Sequence, residues 1–453
     1  MEYLLFLLAG LFRFFRLRQN LFFEGELGHN YLAIKNIIAS SSFPLTGPPT
    51  SHEWLSFGPL FYWIFGPILA LGGYHPIVGA LFFGLIGSLV PVLHYYFVKK
   101  YISSTAATYS SLLLIASPYL LLITRQSRFF SLVLPLTYCM LYAFFDRKKF
   151  SPTKRLVATA FLLGVILNFH LSPVILIPSL LFIIYKDRKL YPKDSFLKAL
   201  LAFLVPHVPL IIADMQHGFT MLRQVILWFP YRVAGFVGLY PKNTVDSSTA
   251  FQNIQAIHDF ISGSFFKAPF IFGALFILGL GYCVYKATRE ASTKKKSFYM
   301  QLHIFFIGGL MGIFIHGKPP YHYFLPLAPF VFIYAGIAIH YLEKKPNALL
   351  ILKLGIVLLL LINGYRSLST IPHDTVPFSQ QEEIARAIVQ SADGKPFVLN
   401  RTGPDDQFEG DFAQNYRYLL WYYGNEPVEK AETTFHIFED TQRNVRFEKG
   451  NYD

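Results

Sequence analysis

The chain has 453 residues, of which 53% are hydrophobic and only 15% charged, against about 25% charged in a typical soluble domain. The missing charge is replaced by long apolar runs, which excludes a soluble globular protein and predicts a polytopic, all-α membrane protein. The formal charge of +13 divides unevenly: residues 1–363 hold 31 Lys and Arg against 12 Asp and Glu, and residues 364–453 hold 9 against 15. The basic residues fall in short loops between apolar runs, as topology determinants do, so nucleic acid is a poor candidate partner.

The first apolar run, 3–15, has no basic stretch before it and no small-residue cleavage site after it, and reads as a retained helix. Arg13, Arg16 and Arg18 sit at its far end, where they could snorkel or meet lipid phosphate. Candidate spans follow at 75–98, 104–124, 129–145, 156–171, 172–185, 196–213, 268–286, 298–315, 322–341 and 346–363; with 2–18 they make eleven. A twelfth apolar stretch, 58–72, is short, carries two Gly-Pro pairs and reads as a half-buried juxtamembrane helix. The basic loops at 99–100, 146–155, 186–194, 286–296 and 343–345 belong on the cytoplasmic face. That parity puts the loops at 19–57, 124–128, 214–267 and 316–323 on the extracytoplasmic face of the cell (plasma or inner) membrane. Cys139 and Cys283 fall inside spans, which supports neither a disulfide framework nor a cysteine metal site.

The domain division expected is a transmembrane part, 1–363, and a small extracytoplasmic α/β tail, 364–453. In the tail, "SQQEEIARAIVQSA" (379–392) reads as a helix opened by a Ser N-cap. Residues 396–401 and 434–439 read as strands and 411–424 as a Gly-terminated helix. The tail carries no nucleophile elbow, phosphate loop or metal-ligand spacing.

Chemistry has few residues to draw on. Of the twelve carboxylates before residue 364, the topology leaves Glu24, Glu26, Glu53, Asp214, Asp246 and Asp259 on the outer face, and the nearby histidines are His29, His52, His170, His217 and His322. "EGELGHNYLAIKNII" (24–38) reads on its own as an interfacial amphipathic helix whose polar start faces water, with Glu24 a solvated loop residue. His170, Asp214 and His217 lie at outer ends of spans, where polar groups serve as site residues or as satisfied structural hydrogen bonds.

The pattern Gly25-Glu26-Leu27-Gly28-His29-Asn30, then "FPLTGPPTS" and "GPLFYW", resembles the GT-C glycosyltransferases. It is most similar to the protein O-mannosyltransferase and aminoarabinose-transferase group (glycosyltransferase family 39). "NFHLSP" (168–173), "ADMQHGF" (213–219) and "YHYFLPLAPF" (321–330) match family segments in order. The resemblance implies a GT-C fold and inverting transfer of a sugar from a polyprenyl-phosphate donor to an extracytoplasmic protein, lipid or glycan acceptor. It implies that Glu26 occupies the position of the acid that binds or deprotonates the acceptor, with His29 and Asn30 beside it. Members usually have Asp there, and several have a second Asp in the turn that reads here "TRQSRFF". That missing carboxylate weakens the case for a divalent metal, and no cofactor is assigned.

A departing lipid phosphate accumulates negative charge that preplaced cations stabilise. Arg125, Arg128 and Lys318 are the cations nominated, since guanidinium forks suit phosphate oxygens; the bland role of each is interfacial anchoring. Tyr321, His322 and Tyr323 are expected to line the sugar pocket, with His170 a further candidate for binding substrate or phosphate. The rival readings are a flippase of lipid-linked sugars, although no paired broken halves are visible, and a lipid-linked polysaccharide polymerase or ligase using loop 214–267.

Overall fold

The computed structural model describes residues 1–236, 239, 247–317, 319–369, 376–404 and 412–451. The candidate cation Lys318 and Asp246, one of the carboxylates expected on the outer face, lie outside them.

The chain opens with α1 (Glu2–Phe14), a short α2 (Gly25–Ala39) and α3 (Leu60–Leu71), then the long α4 (Ile77–Tyr101). Next come α5 (Ser104–Ile115) and α6 (Pro118–Thr124), bent by 62°. Ser117 causes the break: its hydroxyl accepts from the Leu120 amide, and Pro118 at the first helical position cannot continue α5. α7 (Val133–Phe145), α8 (Pro152–Leu167) and α9 (Ile177–Lys186) follow. The expected span 196–213 is α10 (Asp194–Leu204) and α11 (Val208–Gln216) joined by a 3-10 turn through Pro206. The expected outer loop 214–267 is itself helical, holding α12 (Thr220–Phe236) and α13 (Ser247–Gly263). The last long helices are α14 (Phe270–Arg289), α15 (Thr293–His316), α16 (Ala328–Leu342) and α17 (Pro346–Ser369).

Among the described residues six helical segments are long and apolar enough to cross a membrane, and the bent pair α5–α6 makes a seventh. This is fewer than the eleven expected from the sequence, because several of the apolar runs fold into shorter helices, such as α1 with 13 residues and α8 with 16. α16 is apolar on every side, and with the turn before it 89% of its apolar window is buried, as an all-round hydrophobic helix must be. In α17 the same measure is 17%, so most of that helix is left for lipid.

The two ends of the helical body differ in chemistry. At one end the basic loops meet: Lys100 pairs with Asp146 at 2.5 Å, Arg147 with Asp187 at 3.6 Å, and Ser103 donates to Glu343 at 3.1 Å. The other end carries the tail, and both ends of α3 lie there. Gly58 at its start abuts the Asn168 side chain, and the Tyr74 carbonyl beyond its end accepts from the Tyr418 hydroxyl of the tail. α3 therefore starts and finishes on one side, as a juxtamembrane helix does.

The tail is α18 (Phe378–Ala392), β1 (Phe397–Thr402), α19 (Gln414–Tyr422), β2 (Thr433–Glu439) and β3 (Val445–Asn451). β1 and β2 pair in parallel, β2 and β3 antiparallel, in the order β1-β2-β3. The expected Ser379 N-cap is corrected: α18 begins at Phe378 behind Pro377, so Ser379 is already inside the helix. β3 was not anticipated, because "VRFEKGN" has too little apolar alternation to stand out from a loop.

Candidate functional site

α2 turns one face inward: Leu27, Tyr31 and Ile34 are buried at the i, i+4, i+7 spacing of an amphipathic helix. Phe23, just before it, packs edge-on against Tyr31 at 5.6 Å and Phe378 at 5.9 Å. These contacts fix the direction in which the chain enters the helix. Glu24 is the extended residue before the first turn and Glu26 lies in that turn, where the helix dipole favours a carboxylate.

The turn between α6 and α7 brings the counter-charge. Arg128 pairs with Glu24 through one terminal nitrogen, and its other terminal nitrogen is 3.4 Å from a Glu26 carboxylate oxygen. Its guanidinium also lies over the rings of Phe22 and Phe130, at 5.0 and 5.5 Å. Only 12% of the Arg128 side chain is exposed, so this charge is held between two acids and two rings. Burial acts to lower its pKa, but the Glu24 and Glu26 charges prevail and hold it above the ordinary arginine value. Glu24 is thus not the solvated loop residue expected, because the turn at 125–128 folds an arginine directly onto it.

An aromatic wall continues from Arg128. His322 stacks on Phe130 with ring centroids 4.8 Å apart and planes 11° apart, and meets His170 edge-on at 5.1 Å. Tyr321 and Tyr323 touch His322 at 5.4 and 5.0 Å, Tyr323 also reaches His170 at 5.1 Å, and His316 closes on Tyr323 at 4.7 Å. His170 is oriented by Ser172, whose hydroxyl lies 2.9 Å from its Nδ1. The Nδ1 of His322 is buried without a hydrogen-bond partner, a polar atom that a bound hydroxyl or phosphate oxygen would satisfy. Glu26, Arg128, His170 and the run Tyr321-His322-Tyr323, from four separate stretches of the chain, thus form one continuous cluster. Phe22, Phe130 and His316 belong to it as well. Sequence reading missed them because isolated aromatic residues in an aromatic-rich chain carry no distinguishing signal.

Other nominated residues serve the scaffold. Arg125 is buried and turned back onto α1, donating from Nε (3.0 Å) and Nη2 to the Phe12 carbonyl; burial pulls its pKa down to about 10. It joins two helix ends, so the expected phosphate contact from Arg125 is not part of the cluster. Asn30 donates to the Glu26 carbonyl at 2.9 Å and accepts from the Tyr62 hydroxyl at 3.0 Å, which ties α2 to α3. Asp214 accepts from the Met221 and Leu222 amides at 2.7 and 2.9 Å and so caps α12. His217 bonds the Ala213 carbonyl at 2.7 Å. Glu53 is exposed. Among the described residues no group of three or more His, Cys, Asp or Glu converges in a way that could hold a metal ion.

The tail clamps the acid-bearing helix. Gln381 on α18 donates to the Phe23 carbonyl at 2.9 Å and accepts from Asn415 at 2.9 Å. Arg18 pairs with Glu382 at 2.6 Å and Lys35 with Glu426 at 2.7 Å. Gly28 lets the α2 and α19 backbones meet: a Cβ there would stand 2.3 Å from the amide nitrogen of Asn415.

Comparison with known proteins agrees with this architecture. The family described as dolichyl-phosphate-mannose-protein mannosyltransferase matches residues 56–212, roughly a third of the chain. The crystal structure of ArnT from Cupriavidus metallidurans bound to undecaprenyl phosphate superposes with a TM-score of 0.61 at 14% identity, covering 96% of this chain and 93% of that one. Its apo form gives the same TM-score and identity, over 96% and 92%. The Archaeoglobus fulgidus oligosaccharyltransferase, in complex with Zn and sulfate, gives 0.55 at 15% identity, over 94% of this chain and 62% of that one. No curated protein matches. The chain therefore has the GT-C fold of these membrane glycosyltransferases.

Proposed function

We propose that the protein is an integral-membrane glycosyltransferase that moves a sugar from a polyprenyl-phosphate carrier to a hydroxyl acceptor, with its site and tail on the extracytoplasmic side. The observation that carries this reading is Arg128 held between Glu24 and Glu26 at the end of the helical body away from the basic loops. The match to the mannosyltransferase family and the undecaprenyl phosphate bound by the ArnT structure support the donor class.

In the chemistry proposed, the donor phosphate takes Arg128 from the two carboxylates. Glu26, freed from Arg128, accepts the proton of the acceptor hydroxyl. The acceptor oxygen bonds to the anomeric carbon as that carbon's bond to the phosphate oxygen breaks. The phosphate departs as free polyprenyl phosphate, with its added negative charge set against Arg128 and, in this proposal, Lys318. Attack and departure on opposite faces invert the anomeric centre. The His170–His322–Tyr323 wall would hold the sugar, and its membrane setting explains the need for a lipid carrier. The membrane itself is the second partner, since the carrier tail must lie among the helices.

The test is incubation of purified protein with labelled polyprenyl-phosphate sugars. Release of free polyprenyl phosphate together with labelled acceptor is expected. Movement of intact lipid-linked sugar without release would make the protein a flippase.

A further inference from the structure

Between α2 and α19 lies a cleft of about 370 Å³, walled by His29, Ala33 and Asn36 on one side and Gln414, Arg417 and Glu426 on the other. This is near the small end of the range for ligand pockets, roughly 300–1,000 Å³. It is built rather than incidental. Lys35 pairs with Glu426 at 2.7 Å and lies 5.0 Å over Trp421, and the close approach at Gly28 sets how far apart the helices stand.

Resting on the function proposed above, we propose that this cleft is the acceptor site and that the acceptor is a polyhydroxyl one, a glycan chain or the glycan headgroup of a lipid. Position is the first argument. Glu26 lies three residues before His29 and seven before Ala33, spacings that place it beside the same helix face. In this proposal a chain lying along that face runs toward Glu26, which is not itself among the residues walling the cleft. Asn36 stands ten residues from Glu26, about 15 Å along the axis, so an occupant spanning both is extended, of several units. The second argument is the chemistry of the walls. Asn36 and Gln414 each donate and accept, Arg417 donates, Glu426 accepts, and His29 can do either, which suits hydroxyls because they too donate and accept. Glu426 is already paired with Lys35 at 2.7 Å, which leaves the Arg417 guanidinium as a further donor for hydroxyl oxygens. The walls come from two helices and the segment after α19 and present no strand edge on which an extended peptide could add main-chain hydrogen bonds.

The experiment uses full-length protein, labelled polyprenyl-phosphate sugar and two acceptor pools from source-cell membranes: protease-digested glycans and glycolipids, and the protein fraction. Ala33→Trp fills the cleft, and Arg417→Gln removes one wall contact without adding bulk. Label is expected in the glycan pool. Ala33→Trp should lower transfer at least tenfold, and Arg417→Gln should raise the acceptor KM several-fold with kcat retained. Both variants should keep the wild-type thermal shift with undecaprenyl phosphate, which shows that they are folded and able to hold the carrier. Wild-type transfer by Ala33→Trp, or label confined to the protein pool, overturns the assignment. Failure of the glycosyltransferase reading itself would look different: the wild type would release no polyprenyl phosphate with either pool.

Discussion

Gly28→Ala tests whether the tail positions the acid. The added methyl would sit 2.3 Å from backbone atoms of Gln414 and Asn415, whereas ordinary van der Waals contact begins at 3.4 Å. Neither neighbour is a side chain that can rotate away, so α2 and α19 must separate by about 1 Å. Overpacking of this kind costs about 1–3 kcal/mol, which should lower the melting temperature of detergent-purified protein by several degrees. Glu26, two residues away, would move with the helix. A displacement of about 1 Å in a reacting group can cost on the order of 100-fold in rate, so kcat should fall ten- to a hundredfold while carrier binding stays within about threefold. Melting curves and single-turnover transfer measure the two effects. A variant with wild-type stability and rate would refute the argument that α19 sets the place of Glu26.

Arg128→Lys keeps the charge but loses the fork that meets two carboxylates; the donor KM should rise about tenfold, equivalent to about 1.4 kcal/mol, and an unchanged KM would remove Arg128 from the phosphate site. Asp214→Ala strips the cap from α12 and should cost about 1 kcal/mol of stability with little change in kcat, whereas a large kcat loss at full stability would return Asp214 to the chemistry. At the opposite end, burial acts to raise the Asp146 pKa, but the Lys100 ammonium and the Lys148 and Lys149 amides hold it below the ordinary 3.8. A depressed carboxylate pKa stabilises the fold above 3.8, and the contribution disappears as the pH falls through the lowered value. Asp146→Asn should therefore melt below wild type at pH 7, with the gap closing under pH 3.8; a gap independent of pH would contradict the linkage.

The helical membrane architecture was legible because its signal is cumulative: long apolar runs separated by basic loops survive any error at a single residue. The break at Ser117-Pro118 and the 3-10 turn through Pro206 were harder, since a hydropathy run does not register a bend. The grouping of the candidate site residues was legible in part. Glu26, Arg128, His170, Tyr321, His322 and Tyr323 could be nominated as rare polar groups or tyrosines at outer span ends, and the structure gathers them. Arg125 misled because two arginines three apart in one turn look alike in sequence, while the fold sends one inward to the Phe12 carbonyl and the other onto Glu24. Glu24 was undervalued for the converse reason: its partner is 104 residues away, and no local pattern announces such a contact. The tail's clamp on α2, through Gln381, Gly28 and Lys35, was likewise invisible until two distant helices met.

The most direct measurement compares wild type with Glu26→Gln, both folded by melting curve, in release of free polyprenyl phosphate from a labelled polyprenyl-phosphate sugar in the presence of acceptor. The account predicts release by the wild type and a loss of at least a thousandfold in the variant, with carrier binding retained. Equal release by the two proteins would contradict it.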